Sequence, residues 1–246
     1  MITSRQNERV KGWKKLHQSK IRKETGLFLV EGYHLIEEAW KSDWEITEIV
    51  IRDGSIIPDF YQTFPYKFVT ADVFSHISHT KSPQGVLAVI RKQATKQNLG
   101  NLVLLIDTIQ DPGNLGTMIR TADAAGFSSI VIGSGTVDIF NDKVIRATQG
   151  SLFHLPIIQE DLSTCISRLK QSDYTIWATA LEQATPYNDV PICDKTALLI
   201  GNEGAGVQPH LLKQADEIVT IPIYGQAESL NASIAAGILM YHLRRH

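Results

Sequence analysis

The stretch Leu198-Leu-Ile-Gly-Asn-Glu-Gly-Ala-Gly-Val207 runs from an apolar segment into a loop that contains three glycines and one carboxylate. Residues 197–200 are apolar and predict a fully buried strand. The glycines let the backbone adopt positive φ and approach a flat ligand closely, and Pro209 suits the first turn of a following helix. A strand, a glycine loop and a helix in this order build small-molecule sites in α/β proteins. A tight β-to-α turn without a ligand is the alternative for this loop alone, because single glycine motifs are weakly specific.

Length and composition indicate an ordinary globular protein of one or two domains. The chain has 246 residues, of which 43% are hydrophobic and 20% are charged. The sequence contains neither an apolar run long enough to span a membrane nor an N-terminal apolar segment typical of a secretory signal. Cys165 and Cys193 are isolated from each other. We therefore expect a cytoplasmic protein without a membrane partner, in which both thiols are structural.

Charge is distributed unevenly along the chain, although the formal net charge is only −2. Residues 1–23 contain eight Lys and Arg and one Glu. A basic N-terminal segment on an acidic body favours a polyanionic partner such as nucleic acid, and a solvated basic helix without a partner is the alternative. Trp13 lies among these cations, where it could stack on a base, but the spacing of Val10, Trp13 and Leu16 favours a contact with the core.

Alternating strand and helix patterns extend along the whole chain and predict two α/β domains joined by a polar linker at 91–101. In the first domain, 1–90, we predict strands at 26–30, 48–52, 67–70 and 85–90 and helices at 4–23, capped by Ser4, 32–41 and 71–78. In the second domain, 102–246, we predict strands at 102–107, 128–132, 155–158, 174–178, 197–200 and 217–223. Helices are predicted there from near Asn114 to 126 and at 142–149, 161–170, 209–215 and 230–246. The second pattern predicts a parallel sheet covered on both faces.

Three polar clusters interrupt the apolar units of the second domain. They are Asp111, Asn114 and Arg120 at the start of one helix; Asn202 and Glu203 in the glycine loop; and the segment 228–233. A helix cap and a surface arginine would explain the first cluster, and Ser229 acting as an N-cap would explain the third. However, residues 230–241 are apolar almost all round, which predicts a buried helix. Its polar first turn should therefore lie in a site or an interface.

Several common site signatures are absent from the sequence. There is no phosphate-binding G-x-x-x-x-G-K-[S/T] loop, and Gly133-Ser-Gly135 lacks the third glycine of the dinucleotide fingerprint, which argues against a nucleotide-cofactor oxidoreductase. The eight histidines show no metal-ligand spacing, so we predict no metal site. No G-x-S-x-G nucleophile elbow is present.

The three clusters belong to longer ordered motifs that resemble those of the SpoU (TrmH-like) RNA ribose 2′-O-methyltransferases of the SPOUT superfamily. The motifs read Asp107-x-x-x-Asp-Pro-Gly-Asn-x-Gly-x-x-x-Arg-x-Ala-x-Ala-Ala-Gly126, Leu199-Ile-Gly-Asn-Glu-Gly-x-Gly206 and Ile221-Pro-x-x-x-x-x-Glu-Ser-Leu-Asn-x-Ser-x-Ala-Ala236. Together they cover residues 102–246. In the first domain, Phe28-Leu-Val-Glu-Gly32 and Ser82-Pro-Gln-Gly85 resemble the family's substrate-binding domain, an L30e-like RNA-binding fold.

The resemblance implies a SPOUT fold with a parallel sheet and a deep C-terminal trefoil knot, the methyl donor S-adenosylmethionine as cofactor, and a homodimer in which both chains build each active site. The last helix would suit that dimer interface. The catalytic positions of the family correspond to Asn114, Arg120, Glu203, Ser229 and Asn231. The cofactor positions correspond to Ala180, Gly201, Asn202, Ile221, Leu230 and Ser233.

The substrate implied by the resemblance is RNA, and the separate first domain favours 23S rRNA over the alternative, a tRNA ribose. Cations at the N-terminus and on the helix 142–149 are the predicted RNA contacts: Arg9, Lys11, Lys14, Lys15, Lys143 and Arg146. The family's arginine is often considered a base, but a guanidinium gives up its proton only with great difficulty, which makes this costly. We therefore expect Arg120 to hold an RNA phosphate and stabilise developing alkoxide charge. The alternative from another functional class is a non-catalytic RNA-binding factor. The polar residues present in all three motifs argue against this alternative.

Overall fold

The computed structural model describes residues 1–93 and 99–244, which fall into two structural units. The first unit contains 1–93 and Asp138–Phe153, and the second contains 99–137 and 154–244. The segment Asp138–Phe153 thus groups with the first unit, although its position in the chain assigned it to the second domain. The division at 90 and 101 remains a prediction, and residues 94–98 of the predicted linker lie outside the described residues.

The first unit is an α/β layer built on a four-stranded sheet of order β1-β4-β2-β3. The strands are β1 (Leu27–Glu31), β2 (Ile46–Arg52), β3 (Tyr66–Val69) and β4 (Val86–Arg91). The helices are α1 (Glu8–Lys15), α2 (Ser19–Thr25), α3 (Tyr33–Lys41), α4 (Ala71–Ile77) and α6 (Asp142–Thr148). Strand β4 pairs antiparallel with β1 and β2, and β2 pairs parallel with β3.

The N-terminal segment forms two helices, so the prediction of a single helix over 4–23 is wrong. Helix α1 begins after Asn7, whose side chain accepts a hydrogen bond from Arg9 N at 2.9 Å, and the cap is therefore Asn7 and not Ser4. The predicted apolar face is confirmed, because Val10, Trp13 and Leu16 are buried. Trp13 is a core residue whose Nε1 donates to Glu48.

Arg22 gives the physical reason for the break between α1 and α2. Its guanidinium is buried, and it donates to the carbonyl oxygens of Leu16 and His17 at 2.9 and 2.6 Å. It also forms an ion pair with Asp138 at 2.7 Å. A buried charge must be paired and hydrogen-bonded to be tolerated. This pair fixes the turn after α1 and attaches the start of the segment Asp138–Phe153 to the first unit.

The second unit contains a seven-stranded, entirely parallel sheet of order β7-β6-β5-β10-β8-β11-β9, which confirms the predicted parallel sheet. The strands are β5 (Leu102–Ile106), β6 (Ser129–Ile132), β7 (Ile157–Gln159), β8 (Thr175–Thr179), β9 (Thr185–Pro186), β10 (Thr196–Ile200) and β11 (Glu217–Thr220). The helices are α5 (Pro112–Ala124), α7 (Leu162–Lys170), α8 (Pro209–Leu212) and α9 (Ala232–Leu243). The central strands β5 and β10 are buried along their whole length, as the apolar runs predict.

Several predicted boundaries in this unit are wrong for local reasons. Helix α5 begins at Pro112, because Asp111 is its N-cap and the proline fits the first turn. Strand β11 ends at Thr220, two residues before Pro222, which has no N–H for a ladder. The short strand β9, which pairs with β11, has a sequence too short to show a strand pattern.

The last helix differs most from its prediction. It begins at Ala232, its cap is Asn231 and not Ser229, and residues 245–246 of the predicted range lie outside the described residues. Its Ala236 and Leu239 are buried, but a second face is exposed and includes Ile234 and Tyr241, with relative exposures of 54% and 53%. The expectation of a helix buried all round is therefore wrong for the single chain, and α9 keeps an uncovered apolar face.

Within the described residues, no helix combines the length and the apolar character needed to cross a bilayer. Both cysteines are free thiols. Cys165 is buried in the core of the second unit, where burial raises the pKa of its thiol to about 11. Cys193 is exposed, so the expectation that both thiols are structural is wrong for this residue.

Candidate active site

The glycine loop after β10 closes on itself. Asn202 and Gly206 exchange two backbone hydrogen bonds of 2.9 Å each, and the Asn202 side-chain oxygen accepts from Gly204 N and Ala205 N at 3.0 Å. A Cβ atom at Gly201 would lie 2.1 Å from the backbone nitrogen of Val207. Only glycine allows this close approach of the two ends of the loop. The carboxylate of Glu203 is thereby carried on a tight, internally bonded turn.

Glu203 joins this loop to the start of helix α5. Its carboxylate accepts hydrogen bonds from Asp111 N at 3.0 Å, from Gln110 N at 3.2 Å and from the Asn114 side-chain nitrogen at 3.2 Å. Burial alone would raise the pKa of Glu203, but the backbone and Asn114 donors outweigh it and hold the pKa below its usual value. Glu203 is therefore an anion at neutral pH and organises the loop that precedes α5.

The third motif reaches the same network through Asn231. The Asn231 side-chain nitrogen donates to Asn114 Oδ1 at 2.9 Å. The Asn231 Oδ1 accepts from the backbone N and the hydroxyl of Ser233 at 2.8 and 2.7 Å and from Ile234 N at 3.3 Å, which caps α9. Glu203, Asn114 and Asn231 thus form a continuous chain of hydrogen bonds. Three segments that are far apart in sequence meet at this point.

Backbone strain accompanies this network. Thr108 has φ +55°, a conformation that is costly for a β-branched residue and that concentrates at functional sites. Its carbonyl oxygen accepts from the Asn202 side-chain nitrogen at 2.8 Å and from the Gln110 side-chain nitrogen at 3.3 Å. Sequence reasoning did not select Thr108 or Gln110, because the Thr108 carbonyl and the Gln110 N–H that join the network are backbone groups, which carry no residue signature.

A cavity of about 190 Å³ opens beside this network. It is lined by the loops that follow β8, β10 and β11 and by the first turns of α9. Most of the predicted cofactor residues line it, namely Ala180, Gly201, Asn202, Ile221 and Leu230. Ser233 does not, because it is buried against Asn231. Glu203 and Ser229, which we predicted as catalytic, also lie on its wall.

Arg120 lies outside this hydrogen-bond network, as Ser229 does, and unlike Ser229 it does not line the cavity. It lies on α5, nearly two turns beyond Asn114, and its side chain is exposed. Among the residues that the structure describes, none forms a hydrogen bond or ion pair with Arg120. Helix α5 packs along α9, where Thr121 faces Gly237. The guanidinium is therefore available to a group outside this chain.

The predicted RNA contacts of helix α1 are partly engaged within the first unit. Arg9 pairs with Glu48 at 2.5 Å and Lys11 pairs with Glu8 at 2.7 Å. Lys14 lies 3.2 Å from the ring nitrogens of His76. Lys15 is exposed and has no ion-pair partner among the described residues.

The two predicted contacts on α6 differ in their surroundings. Lys143 is exposed, and nothing in the described part of the chain pairs with it. Arg146 is half-buried and pairs with Asp142 at 3.1 Å. Their RNA-binding role remains a prediction.

One cluster of possible metal ligands also lies in the first unit. His17, His79 and Asp142 each offer a ligand atom within 4.8 Å of the others, which the spacing of the histidines in sequence did not indicate. The two imidazole rings stack with their centroids 3.5 Å apart, and burial lowers the pKa of His17. The Asp142 oxygen that faces His79 also accepts from Arg146. Because a guanidinium already neutralises this carboxylate, we assign no metal to the cluster.

Both parts of the chain match models of known protein families. The model of the SpoU rRNA Methylase family matches residues 101–241, and that of the MRM3-like substrate binding domain matches residues 7–88. The chain belongs to the SpoU rRNA methylase family. This membership confirms the resemblance seen in the three motifs, and with it the fold class of a SPOUT domain preceded by a substrate-binding domain.

Related SpoU proteins match along their whole length. The chain is 47% identical over 244 residues to the 23S rRNA (guanosine(2553)-2′-O)-methyltransferase RlmP of Bacillus subtilis strain 168, covering 99% of this chain and 98% of the relative. The AdoMet-bound rRNA methyltransferase from Sinorhizobium meliloti superposes with a TM-score of 0.91 at 33% identity, covering 100% and 97% of the two chains. The SpoU methyltransferase AviRb from Streptomyces viridochromogenes, solved with AdoMet, superposes with a TM-score of 0.89 at 25% identity, covering 98% of each.

Proposed function

We propose that this SpoU chain transfers a methyl group from S-adenosylmethionine to the 2′-hydroxyl of a ribose in 23S rRNA. The nucleotide is the guanosine equivalent to position 2553 named for the Bacillus subtilis relative. The observation that carries the proposal is the Glu203–Asn114–Asn231 network, which joins all three SpoU motifs at the wall of one cavity. A non-catalytic RNA-binding protein would have no need of such a network.

The cavity residues fit the methyl donor. S-adenosylmethionine supplies an electrophilic methyl group on a sulfonium, and the rest of the molecule must be held by the protein. Gly201 and Ala180 leave backbone groups accessible on the cavity wall, while Ile221 and Leu230 add apolar surface. Small and apolar walls with a few polar groups are typical of cofactor pockets. We assign these residues, with Asn202, to holding the donor, and Ser233 to positioning Asn231.

The polar residues would then position the ribose. Asn114 has both its amide nitrogen and its oxygen engaged, by Glu203 and Asn231, so its side chain is fixed against Glu203, which lines the cavity. Ser229 is exposed on the same wall and has a hydroxyl that can bond to the sugar. Arg120 serves as a clamp for an RNA phosphate and stabilises negative charge that develops on the 2′-oxygen.

We propose that the active unit is a homodimer. The uncovered face of α9, formed by Ile234, Ile238 and Tyr241, is apolar in a helix that otherwise packs against α5 and β10. Contiguous exposed apolar surface marks an interaction site. Arg120, on the neighbouring helix, would then reach the cavity of the second copy, which accounts for its having no partner among the residues that the structure describes.

The trefoil knot and the cytoplasmic location also remain proposals. Support for the knot comes from the cavity itself, whose walls combine loops of three neighbouring strands with the helix that ends the described chain. An rRNA substrate supports a cytoplasmic location. We propose that cationic side chains of the first unit supply the sequence-independent part of the RNA affinity. They are those of Arg9, Lys11, Lys14, Lys15 and Lys143.

The decisive experiment maps ribose methylation in all RNAs of a strain that lacks this gene. The proposal expects loss of one 2′-O-methyl group, at the 23S rRNA guanosine, and its restoration by the wild-type gene but not by a gene encoding Asn114→Ala. Loss of a 2′-O-methyl group from a tRNA ribose, with 23S rRNA methylation unchanged, would identify the alternative substrate. Unchanged methylation at every position would favour the non-catalytic alternative.

A further inference from the structure

A second cavity, of about 200 Å³, lies wholly within the first unit. It is separate from the residues that line the cofactor cavity. Two stretches that the sequence analysis singled out in the first domain, 28–32 and 82–85, both contribute to its wall. Its polar lining comes from the start of α3, from the loop between α4 and β4, and from α6: Gly32, His34, Thr80, Ser82, Gln84 and Arg146.

Gln84 is held in place by the two stretches together. Its side-chain oxygen accepts a hydrogen bond from Tyr33 N at 2.9 Å. Gly32 has φ +104°, and a Cβ atom there would lie 2.9 Å from the same oxygen. A larger residue at position 32 would therefore both strain the backbone and displace Gln84. The bond from Tyr33 orients the amide of Gln84. The amide nitrogen of Gln84 remains a donor with no partner among the described residues.

Two further groups on the wall have unused hydrogen-bonding capacity. The Thr80 hydroxyl is buried and finds no hydrogen-bond partner in the described structure. Such groups are rare in folded proteins, because an unsatisfied buried hydroxyl costs free energy. The Arg146 guanidinium uses one nitrogen for Asp142 at 3.1 Å and has further donors. Glu31, also on the wall, is engaged with the Ser78 hydroxyl at 2.7 and 2.9 Å.

The geometry points to a recognition subsite for one unstacked base of the substrate RNA, with Thr80, Gln84 and Arg146 as the contacting residues. Base edges present the carbonyl and ring-nitrogen acceptors that these donors need. Proteins read RNA sequence mainly on bases splayed out of loops and bulges. A small polar cavity with several donors fits such a base. This inference rests on the proposed function, because it assigns the subsite to the RNA that the enzyme methylates.

The test measures RNA affinity separately from methyl transfer. The probe is a fluorescein-labelled, unmethylated 23S rRNA fragment that contains the target guanosine, and fluorescence anisotropy gives its Kd. We expect Thr80→Val to raise the Kd about fivefold and Arg146→Gln to raise it about tenfold or more. The matched control is Lys67→Gln, which removes a cation from β3 of the same unit, away from the cavity. It should leave the Kd within twofold.

Thr80→Val also separates recognition from folding. It removes a buried hydroxyl that has no partner, so the unfolding free energy should stay unchanged or rise. Weaker RNA binding by a protein of equal or greater stability, with unchanged affinity for S-adenosylmethionine by calorimetry, supports the subsite. Wild-type Kd values for both variants would overturn it. Failure of the wild-type protein to methylate the fragment that it binds would instead contradict the proposed function and leave the subsite supported by the Kd values.

Discussion

Replacing Asn231 by serine separates the two roles that the structure gives this side chain. Asn231 Oδ1 caps α9 through Ser233 N at 2.8 Å, while its nitrogen donates to Asn114 at 2.9 Å. A serine hydroxyl can cap a helix, but it is too short to keep the bond to Asn114. Asn231→Ala removes both interactions. Comparing the two variants therefore isolates the contribution of the Asn114 bond.

The expected stability changes follow from these contacts. Loss of an N-cap costs about 1 kcal/mol, and loss of one neutral hydrogen bond costs about 1 kcal/mol. Asn231→Ala should thus lose about 2 kcal/mol of unfolding free energy and Asn231→Ser about half of that. In a domain of this size, 1 kcal/mol shifts the Tm by about 3 °C. Calorimetric melting should therefore show Tm decreases of about 6 and 3 °C.

The activity change should not follow the stability change. Without the Asn231 bond, Asn114 loses one of the two contacts that fix its amide beside Glu203, and small misplacements at a reacting centre can cost about 100-fold in rate. We expect Asn231→Ser to lower the single-turnover rate of methyl transfer by about 10- to 100-fold. The matched control is Asp161→Ala, which removes the N-cap of α7 in the same unit. It should lower the Tm and leave the rate unchanged.

A wild-type rate for Asn231→Ser would refute this reasoning. Asn231 would then be a helix cap alone, and the link between the first and third motifs would have no catalytic meaning.

Further predictions concern single groups of the site and its surroundings. Arg120→Lys should lower kcat about 100-fold without changing the Tm, because the exposed guanidinium has no partner in the described chain; near-full activity would remove the need for a bidentate clamp. Gly201→Ala should abolish binding of S-adenosylmethionine in calorimetry, since its Cβ would lie 2.1 Å from Val207 N; retained affinity would contradict the loop geometry. Because the pKa of Glu203 is lowered in the folded state, its contribution to stability is complete above its unfolded pKa and is lost as the pH falls through the folded pKa. The stability difference between wild type and Glu203→Gln in urea melts should therefore shrink below about pH 4, and a constant difference would argue against the network. Reversing charge with Lys15→Glu should weaken RNA binding and flatten its salt dependence without affecting donor binding; an unchanged salt slope would dismiss that contact.

The second unit was largely predictable from sequence, because its buried parallel strands are short apolar runs bounded by glycine, proline and polar residues. The strand before the glycine loop and the helix predicted at 161–170 followed from local patterns alone. The convergence of Asn114, Glu203 and Asn231 was not available from periodicity, since it depends on the order of strands in the sheet. Only the resemblance to a family placed these residues in one site.

Two other misassigned features, the cap of α9 and the single N-terminal helix, depend on contacts with residues far away in sequence. Serine and asparagine are both good N-caps, so the local sequence does not decide between Ser229 and Asn231. In the structure Asn231 caps α9, and its side chain also donates to Asn114. The break between α1 and α2 depends on Arg22, whose partner Asp138 lies 116 residues further along the chain. A local pattern cannot show that such a cation is buried and paired, so the whole N-terminal segment was predicted as one basic helix.

The most direct test of the central claim is to find the atom that receives the methyl group. Purified wild-type protein would be incubated with unmethylated 23S rRNA and S-adenosylmethionine labelled in its methyl group, and the product would be digested and mapped. The account predicts label on the 2′-oxygen of a single guanosine ribose, and none when Asn114 is replaced by alanine. Label on a base, or equal labelling by the Asn114→Ala protein, would contradict it.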